Sequence, residues 1–295
     1  MPSTKILDHI VHITLPGTGE EVSEHYRKLG FNIIPGGVHA GGLTANALVI
    51  LPDGAYIELI WFVHPASYYE PGTPARLARD AHQWANKPSG WVSYSFLGVP
   101  PADGPLSTFI NARAEREHSG VEYVLEVDGG RTRGDGAVLE WRLTSPREWW
   151  DAVGGSRLPF FCQDLTPRSL RVPVDPKSYR EHANGSSSVA YLRLLVPPAS
   201  FEQLSKELAT VVGDSPVAVT PTERYWVLET VPDAGASGQV SHPRLVISTP
   251  TAGAEEEEEF VRVRGAGIYE IGFRGPGEGG VSVEGIFGRV NLGQE

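Results

Sequence analysis

Two residues near the start of the chain stand out chemically. His9 lies in the run Leu7-Asp8-His9-Ile10-Val11-His12-Ile13-Thr14-Leu15, and Glu58 in Ala55-Tyr56-Ile57-Glu58-Leu59-Ile60-Trp61-Phe62. Both runs are rich in β-branched and apolar residues and bounded by turn formers, which predicts strands. A half-buried strand needs neither an imidazole nor a carboxylate. Side chains alternate along a strand, so His9 shares a face with Val11 and Ile13, and Glu58 with Tyr56 and Ile60. If both strands line one concave sheet, the two groups point into one cavity. There they can move protons, or act as two ligands for a divalent ion such as Zn²⁺, Fe²⁺, Mn²⁺ or Ni²⁺. The alternative is a hydrogen-bonded pair inside a metal-free binding cup.

Further polar groups fall where they could join this pair. His39 sits in the glycine-rich run 36–42, whose backbone can approach a ligand closely. It is a candidate general base or hydrogen-bond donor. Asn46 alternates in register with Thr44 and Leu48 and can face inward with them. Arg131 and Arg133 flank a polar turn containing Gly134-Asp135-Gly136, and Arg142 follows Trp141 on the returning strand. Arginine forks suit carboxylates and enolates, whereas a hairpin tied by Glu126, Asp135 or Glu140 is the structural alternative. Cys162 has no dedicated partner and reads as an inert buried thiol.

The elements that must hold these groups follow from the pattern. Residues 20–29 predict a helix, with Val22, Tyr26 and Leu29 at helical spacing and Gly30 ending it. Residues 31–34 and 44–51 predict strands, and Pro52-Asp53-Gly54 a tight turn. The first 62 residues therefore read βαβββ. After a connector holding a short helix at 74–84, the order repeats: a strand at 91–99, a helix at 106–118, strands at 121–127 and 137–143 around a hairpin at 128–136, and a strand at 159–163. Trp149-Trp150 lies in an insertion and reads as an aromatic lid or ordinary core.

This order, with His on the first strand and Glu on the last, resembles the module of the vicinal oxygen chelate superfamily, which includes glyoxalase I, extradiol dioxygenases and bleomycin-resistance proteins. The closer resemblance is to its glyoxalase-like domain family. It is carried by Leu7-Asp8-His9, the run from Gly36 to Asn46, Tyr56-Ile57-Glu58-Leu59-Ile60, Arg131-Thr132-Arg133-Gly134-Asp135-Gly136, Trp141-Arg142-Leu143 and Pro159-Phe160-Phe161, over roughly the first 170 residues. The resemblance implies two paired modules around a cup, catalytic roles for Glu58, His39 and His9, and substrate contacts from Asn46, Arg131, Arg133, Trp141, Arg142 and Phe161. It also implies further metal ligands from the second module, near Ser93 and Gln163. Serine is a poor ligand there, Gln163 offers only a neutral oxygen, and Asp164 is one residue out of register. A divalent metal on His9, Glu58 and Gln163 and a metal-free cup both stay open.

The remainder reads as a linker at 166–187, a third, divergent βαβββ-like module at 188–275 with an extra strand, and a glycine-rich tail at 276–295 that frays. Glu270 stands in a setting like that of Glu58 and could mark a vestigial second site. Glu255 to Glu259 read as a solvated acidic loop. Three modules leave two arrangements open: pairing across a homodimer, or completion by the last strands.

The expected architecture is thus α+β, with repeated βαβββ modules pairing into a cup-shaped open barrel across residues 1–170 (modules at 6–62 and 91–165). A formal net charge of −11 disfavours nucleic acid and anionic membrane surfaces as partners. One cysteine excludes an internal disulfide. No signal-peptide core and no membrane-spanning run is present, so the expected location is cytoplasmic. The expected partner is a small molecule. The leading reading is a glyoxalase-like enzyme (isomerase, lyase, dioxygenase or hydrolase), with small-molecule sequestration as the alternative.

Overall fold

The computed structural model describes residues 2–102, 104–133, 135–147, 156–232, 242–276, 281–283 and 289–294. Trp149 and Trp150 lie outside them. In chain order the first part contains β1 (Leu7–Thr14), α1 (Gly19–Lys28), β2 (Ile34–Val38), β3 (Thr44–Ile50), β4 (Tyr56–Phe62), α2 (Pro74–Ala81), β5 (Gly90–Leu97), α3 (Leu106–Glu117), β6 (Val127–Thr132), β7 (Val138–Thr144), β8 (Phe160–Asp164) and α4 (Arg168–Arg171). The second contains β9 (Ser188–Leu195), α5 (Phe201–Val212), β10 (Val217–Thr220), β11 (Glu223–Val227), β12 (Arg244–Ser248), α6 (Glu255–Arg264), β13 (Gly267–Arg274), β14 (Val281–Val283) and β15 (Arg289–Gln294).

The strands of the first part form one sheet in the order β2-β3-β4-β1-β5-β8-β7-β6. Its symmetry is that of a duplicated half. β1 runs parallel to β4, β5 runs parallel to β8, and β1 and β5 join the halves antiparallel at the centre. The outer edges approach each other, since the Ala40 N–H donates to the Gly130 carbonyl at 3.2 Å. The sheet therefore curls into a nearly closed cup, an α+β arrangement of repeated βαβ-type modules.

The second sheet, β10-β11-β12-β9-β13-β15-β14, repeats the plan: β9 is parallel to β12, β13 to β15, and β9 and β13 pair antiparallel. β13 is thus the opening strand of a fourth half rather than an extra strand of the third, and the half is completed by β14 and β15. The segment read as a fraying tail contributes both of these strands. Its burial explains why: Val290 is buried, and the Trp91 Nε1–H donates to the Arg289 carbonyl at 3.1 Å.

Strand alternation gives the first sheet two apolar faces. Leu7, Ile10, Trp91, Tyr94, Phe96 and Phe161 pack with α1, α3 and α5 and with Leu192, Leu194, Ile271 and Phe273 of the second sheet in one continuous core. Val11, Ile13, Ile60, Phe62, Val92, Phe160 and Cys162 face the other way, into the cup. On the second sheet, α6 lies over the face opposite the core. Glu257 pairs with Arg193 at 2.8 Å, Glu256 with Arg289 at 2.8 Å, and Phe260 meets Tyr269 edge-on at 5.2 Å. The run Glu255–Glu259 is therefore the start of a helix, where carboxylates favour the dipole, and Glu257 is buried rather than solvated.

Two other expectations shift. The strand expected at 121–127 forms at 127–132, and the expected hairpin loop contracts to the turn after Thr132, where the Arg133 N–H donates to Ala137. Asp128-Gly129-Gly130 has low β-propensity, but close packing requires glycine here: a Cβ on Gly129 would stand 2.5 Å from Trp141 Nε1. The segment 166–187, read as a linker, contains α4, whose arginines reach the cup.

Removing residues 281–295 is expected to destabilise the chain by at least ~2 kcal/mol, because Val290 and the β13 edge lose their cover. Thermal and urea unfolding check this; a truncated chain melting with the full-length protein would make the segment a tail after all.

Candidate functional site

The cup encloses a cavity of about 340 Å³. Its polar lining includes His9 on β1, His39 after β2, Thr44 and Asn46 on β3, Glu58 on β4 and Arg131 on β6, with His82, Gln83, Asp128 and Arg171 beside them. Apolar and aromatic side chains make up much of the rest, including Leu48, Tyr56, Ile60, Trp84, Trp141 and Phe160. These positions follow from strand alternation. Leu48 pairs with Glu58 across β3 and β4, and Asn46 with Ile60, so cross-strand neighbours share the inner face.

His9 is fixed on both sides. Its Nδ1 lies 2.7 Å from Asp8 Oδ2, and its ring stacks on Tyr56 at 4.7 Å and meets Phe160 edge-on at 5.2 Å. An ionised carboxylate only accepts, so Nδ1 carries the proton and Nε2 is left facing Glu58 Oε2 at 3.8 Å. Asp8 itself is 0% exposed. Burial alone would raise its pKa, but Arg168 and Arg171, aided by His9, hold it well below the usual carboxylate range. Arg168 donates to Asp8 Oδ1. Arg171 donates to Asp8 Oδ2 at 2.9 Å, to the Tyr56 hydroxyl at 2.8 Å and, through Nε, to Asp164 at 2.6 Å.

Glu58 accepts from Asn46 Nδ2 at 2.7 Å, and its Oε1 lies 3.5 Å from His39 Nε2. Burial works against its charge, yet His39, His9 and Asn46 outweigh burial and hold the pKa down to about 2. Asn46 is oriented in turn by the Gly37 N–H, which donates to its Oδ1 at 3.1 Å, and His39 Nδ1 lies 2.8 Å from Thr44 Oγ1. The two glycines are required by this packing. A Cβ on Gly36 would fall 1.9 Å from Asn46 Oδ1, and Gly37 has a φ of +154° beside the Arg131 guanidinium. Arg131, 7% exposed, donates to the Gly36 carbonyl at 2.7 Å and makes no ion pair among the described residues.

His9, His39, Asn46, Glu58, Arg131 and Trp141 therefore come together. Four expected residues do not. Phe161 packs in the core against Phe96 and Tyr123, and Gln163, on the same side of β8, lies against Gly98 outside the cup. The inner face of β8 instead presents Phe160 and Cys162, with Asp164 bound to Arg171. Arg142 is paired with Asp128 at 2.6 Å on the opposite face from Trp141, and Arg133 is held by Asp135 and the Leu170 carbonyl. Residues that sequence reasoning passed over are Asp8, Arg168 and Arg171. Only Asp8, adjacent to His9, carried a local signal.

A divalent ion on His9, Glu58 and Gln163 is not supported by this donor set. Gln163 faces away, burial pushes the Cys162 thiol up to about 12, and Asp8 and Asp164 are taken by arginines. Among the described residues no three His, Cys, Asp or Glu side chains converge as metal ligands.

Comparison with known proteins fits this architecture. Residues 7–212 match the family described as a glyoxalase-like domain. The chain belongs to that family. The match runs past residue 170 and takes in α5 of the second part. A hypothetical protein from Staphylococcus aureus has the same fold at 12% identity, with a TM-score of 0.64 over 97% of this chain and 98% of its own. Two weaker structural likenesses, each with a TM-score of 0.45, are a xylose isomerase-like TIM barrel/4-hydroxyphenylpyruvate dioxygenase fusion protein (12% identity, 92% of this chain, 36% of its own) and a mutant of 4-hydroxymandelate synthase from Streptomyces coelicolor (10% identity, 92% and 71%). No curated protein matches the sequence. Among the described residues no helix is long and apolar enough to cross a membrane.

Asp8 and Glu58 both have folded pKa values below their unfolded ones. Their contribution to stability is present above about pH 4.5 and is lost as pH falls toward 2. Asp8→Asn leaves the buried Arg171 and the half-buried Arg168 sharing Asp164 and is expected to cost about 3–5 kcal/mol at neutral pH. It should also flatten the acid limb of stability, which denaturant unfolding between pH 3 and 7 measures.

Proposed function

We propose that the cup is an acid–base site acting on a small oxygen-bearing molecule, with His9 as the group that moves the proton. The observation that carries this reading is the line Asp8–His9–Glu58. The buried Asp8 carboxylate fixes the ring and its tautomer, which leaves Nε2 as the basic atom on the cavity side. A proton taken up at Nε2 turns His9 into an imidazolium flanked by two carboxylates that both stay ionised. Against its burial, Glu58 is kept ionised by His39, His9 and Asn46, so in this reading it stabilises the cation. In this reading His39, bound to Thr44 and beside Glu58, returns a proton.

Abstraction of a proton next to a carbonyl, with the C–H electron pair passing to the carbonyl oxygen, is the step these residues can perform. Isomerase and lyase chemistry begins this way. Sequestration is the second reading, favoured by the apolar lining and by the way Asn46 already occupies Glu58.

A panel of small ketones, 1,3-dicarbonyls and keto acids incubated with the protein in D₂O tests the two. Under the enzyme reading, at least one compound gains deuterium, His9→Gln slows that exchange by about 10²–10⁴, and binding changes only a few-fold. Compounds that bind but never exchange, with or without His9, would leave a sequestering protein.

A further inference from the structure

The cup's hydrogen-bonding groups are unevenly committed. Part of its acceptor set is in use: Glu58 Oε1 takes the Asn46 amide and Asn46 Oδ1 takes the Gly37 N–H, while Glu58 Oε2 and His9 Nε2 face each other at 3.8 Å. Two of its donors are left over among the described residues: Arg131 spends one N–H on the Gly36 carbonyl and has others to offer, and the buried Trp84 indole N–H in the lining has no partner. A guanidinium has five N–H donors in a fixed fork, and those not turned to Gly36 stay available to oxygens in the cavity.

Charge points the same way. Asp8 and Asp164 are balanced by Arg168 and Arg171. Arg131 feels Glu58 only at a distance and is not bonded to it. Its fork is pre-organised, because the guanidinium is bonded to the Gly36 carbonyl and lies against Gly37, where a Cβ would stand 2.9 Å from Nη1. The walls nearest the polar set are flat: Tyr56, Phe160, Trp141 and Trp84. We infer that Arg131 is the anchor for a pair of anionic oxygens, so that the ligand of this cup is a small carboxylate with a flat, unsaturated or aromatic body. The inference rests on the cup being the ligand site proposed above.

The test uses the full chain and two probe sets, benzoate, cinnamate and 2-naphthoate against their carboxamides. Binding is read by tryptophan fluorescence and by calorimetry. The acids are expected to bind about 10- to 100-fold more tightly than the amides. Arg131→Met should erase that preference, Arg131→Lys should keep part of it, and Arg133→Ala, outside the cup, should keep all of it. If Arg131→Met does not fold, the acid–amide comparison on the unaltered chain decides. Amides binding as tightly as acids, acids binding undiminished to Arg131→Met, or no acid binding at millimolar concentration would overturn the inference. Acids that bind through Arg131 while no carbonyl compound exchanges deuterium would sustain it and remove the acid–base reading instead.

Discussion

The arrangement depends on one buried anion. Asp8 has no water to solvate it, so its charge is held by two arginines and one imidazole. A carboxylate in such a place is costly unless each oxygen is met, and breaking one partner of a buried set costs far more than the set contributes. The consequence is geometric. Arg168 and Arg171 must come from α4, so the chain after β8 has to fold back under β1. The Tyr56 hydroxyl and Asp164 are drawn into the same network. His9 is then held from behind by Asp8 and from the sides by Tyr56 and Phe160, which fixes its Nε2 relative to Glu58.

The two halves of the cup have diverged in role. The first half supplies His9, His39, Asn46 and Glu58, the polar set gathered around one carboxylate. The second supplies Arg131 and a largely aromatic or apolar wall of Trp141, Leu143, Phe160 and Cys162. Duplicated strands at equivalent places thus carry different chemistry, and the pairing of β1 with β5 keeps the two walls in register.

Much of the first half was legible because its strands carry one polar residue among apolar ones, and alternation tells which face that residue takes. The same rule puts Trp141 and Arg142 on opposite faces, so only one of the two expected contacts could enter the cup, and it is Trp141. It failed on β8, where Phe160, Phe161 and Cys162 are all apolar and buried on both sides, so the pattern holds no register and a one-residue slip exchanges the faces. The resemblance implied Phe161 and Gln163 as site residues, and the apolar run offered no periodicity to correct it. Arg171 was hidden differently. It lies between prolines in a segment without periodicity, and what recruits it is a charge far away in sequence. β14 and β15 were hidden by glycine content, which reads as disorder unless the neighbouring strand edge is known.

The second sheet has the same plan as the first, yet α6 lies against its outer face through Glu256, Glu257 and Phe260. A helix that supplies its own carboxylates to Arg193 and Arg289 takes the place a ligand would need there. Duplication of architecture therefore does not double capacity: a titration should saturate at one small molecule per chain.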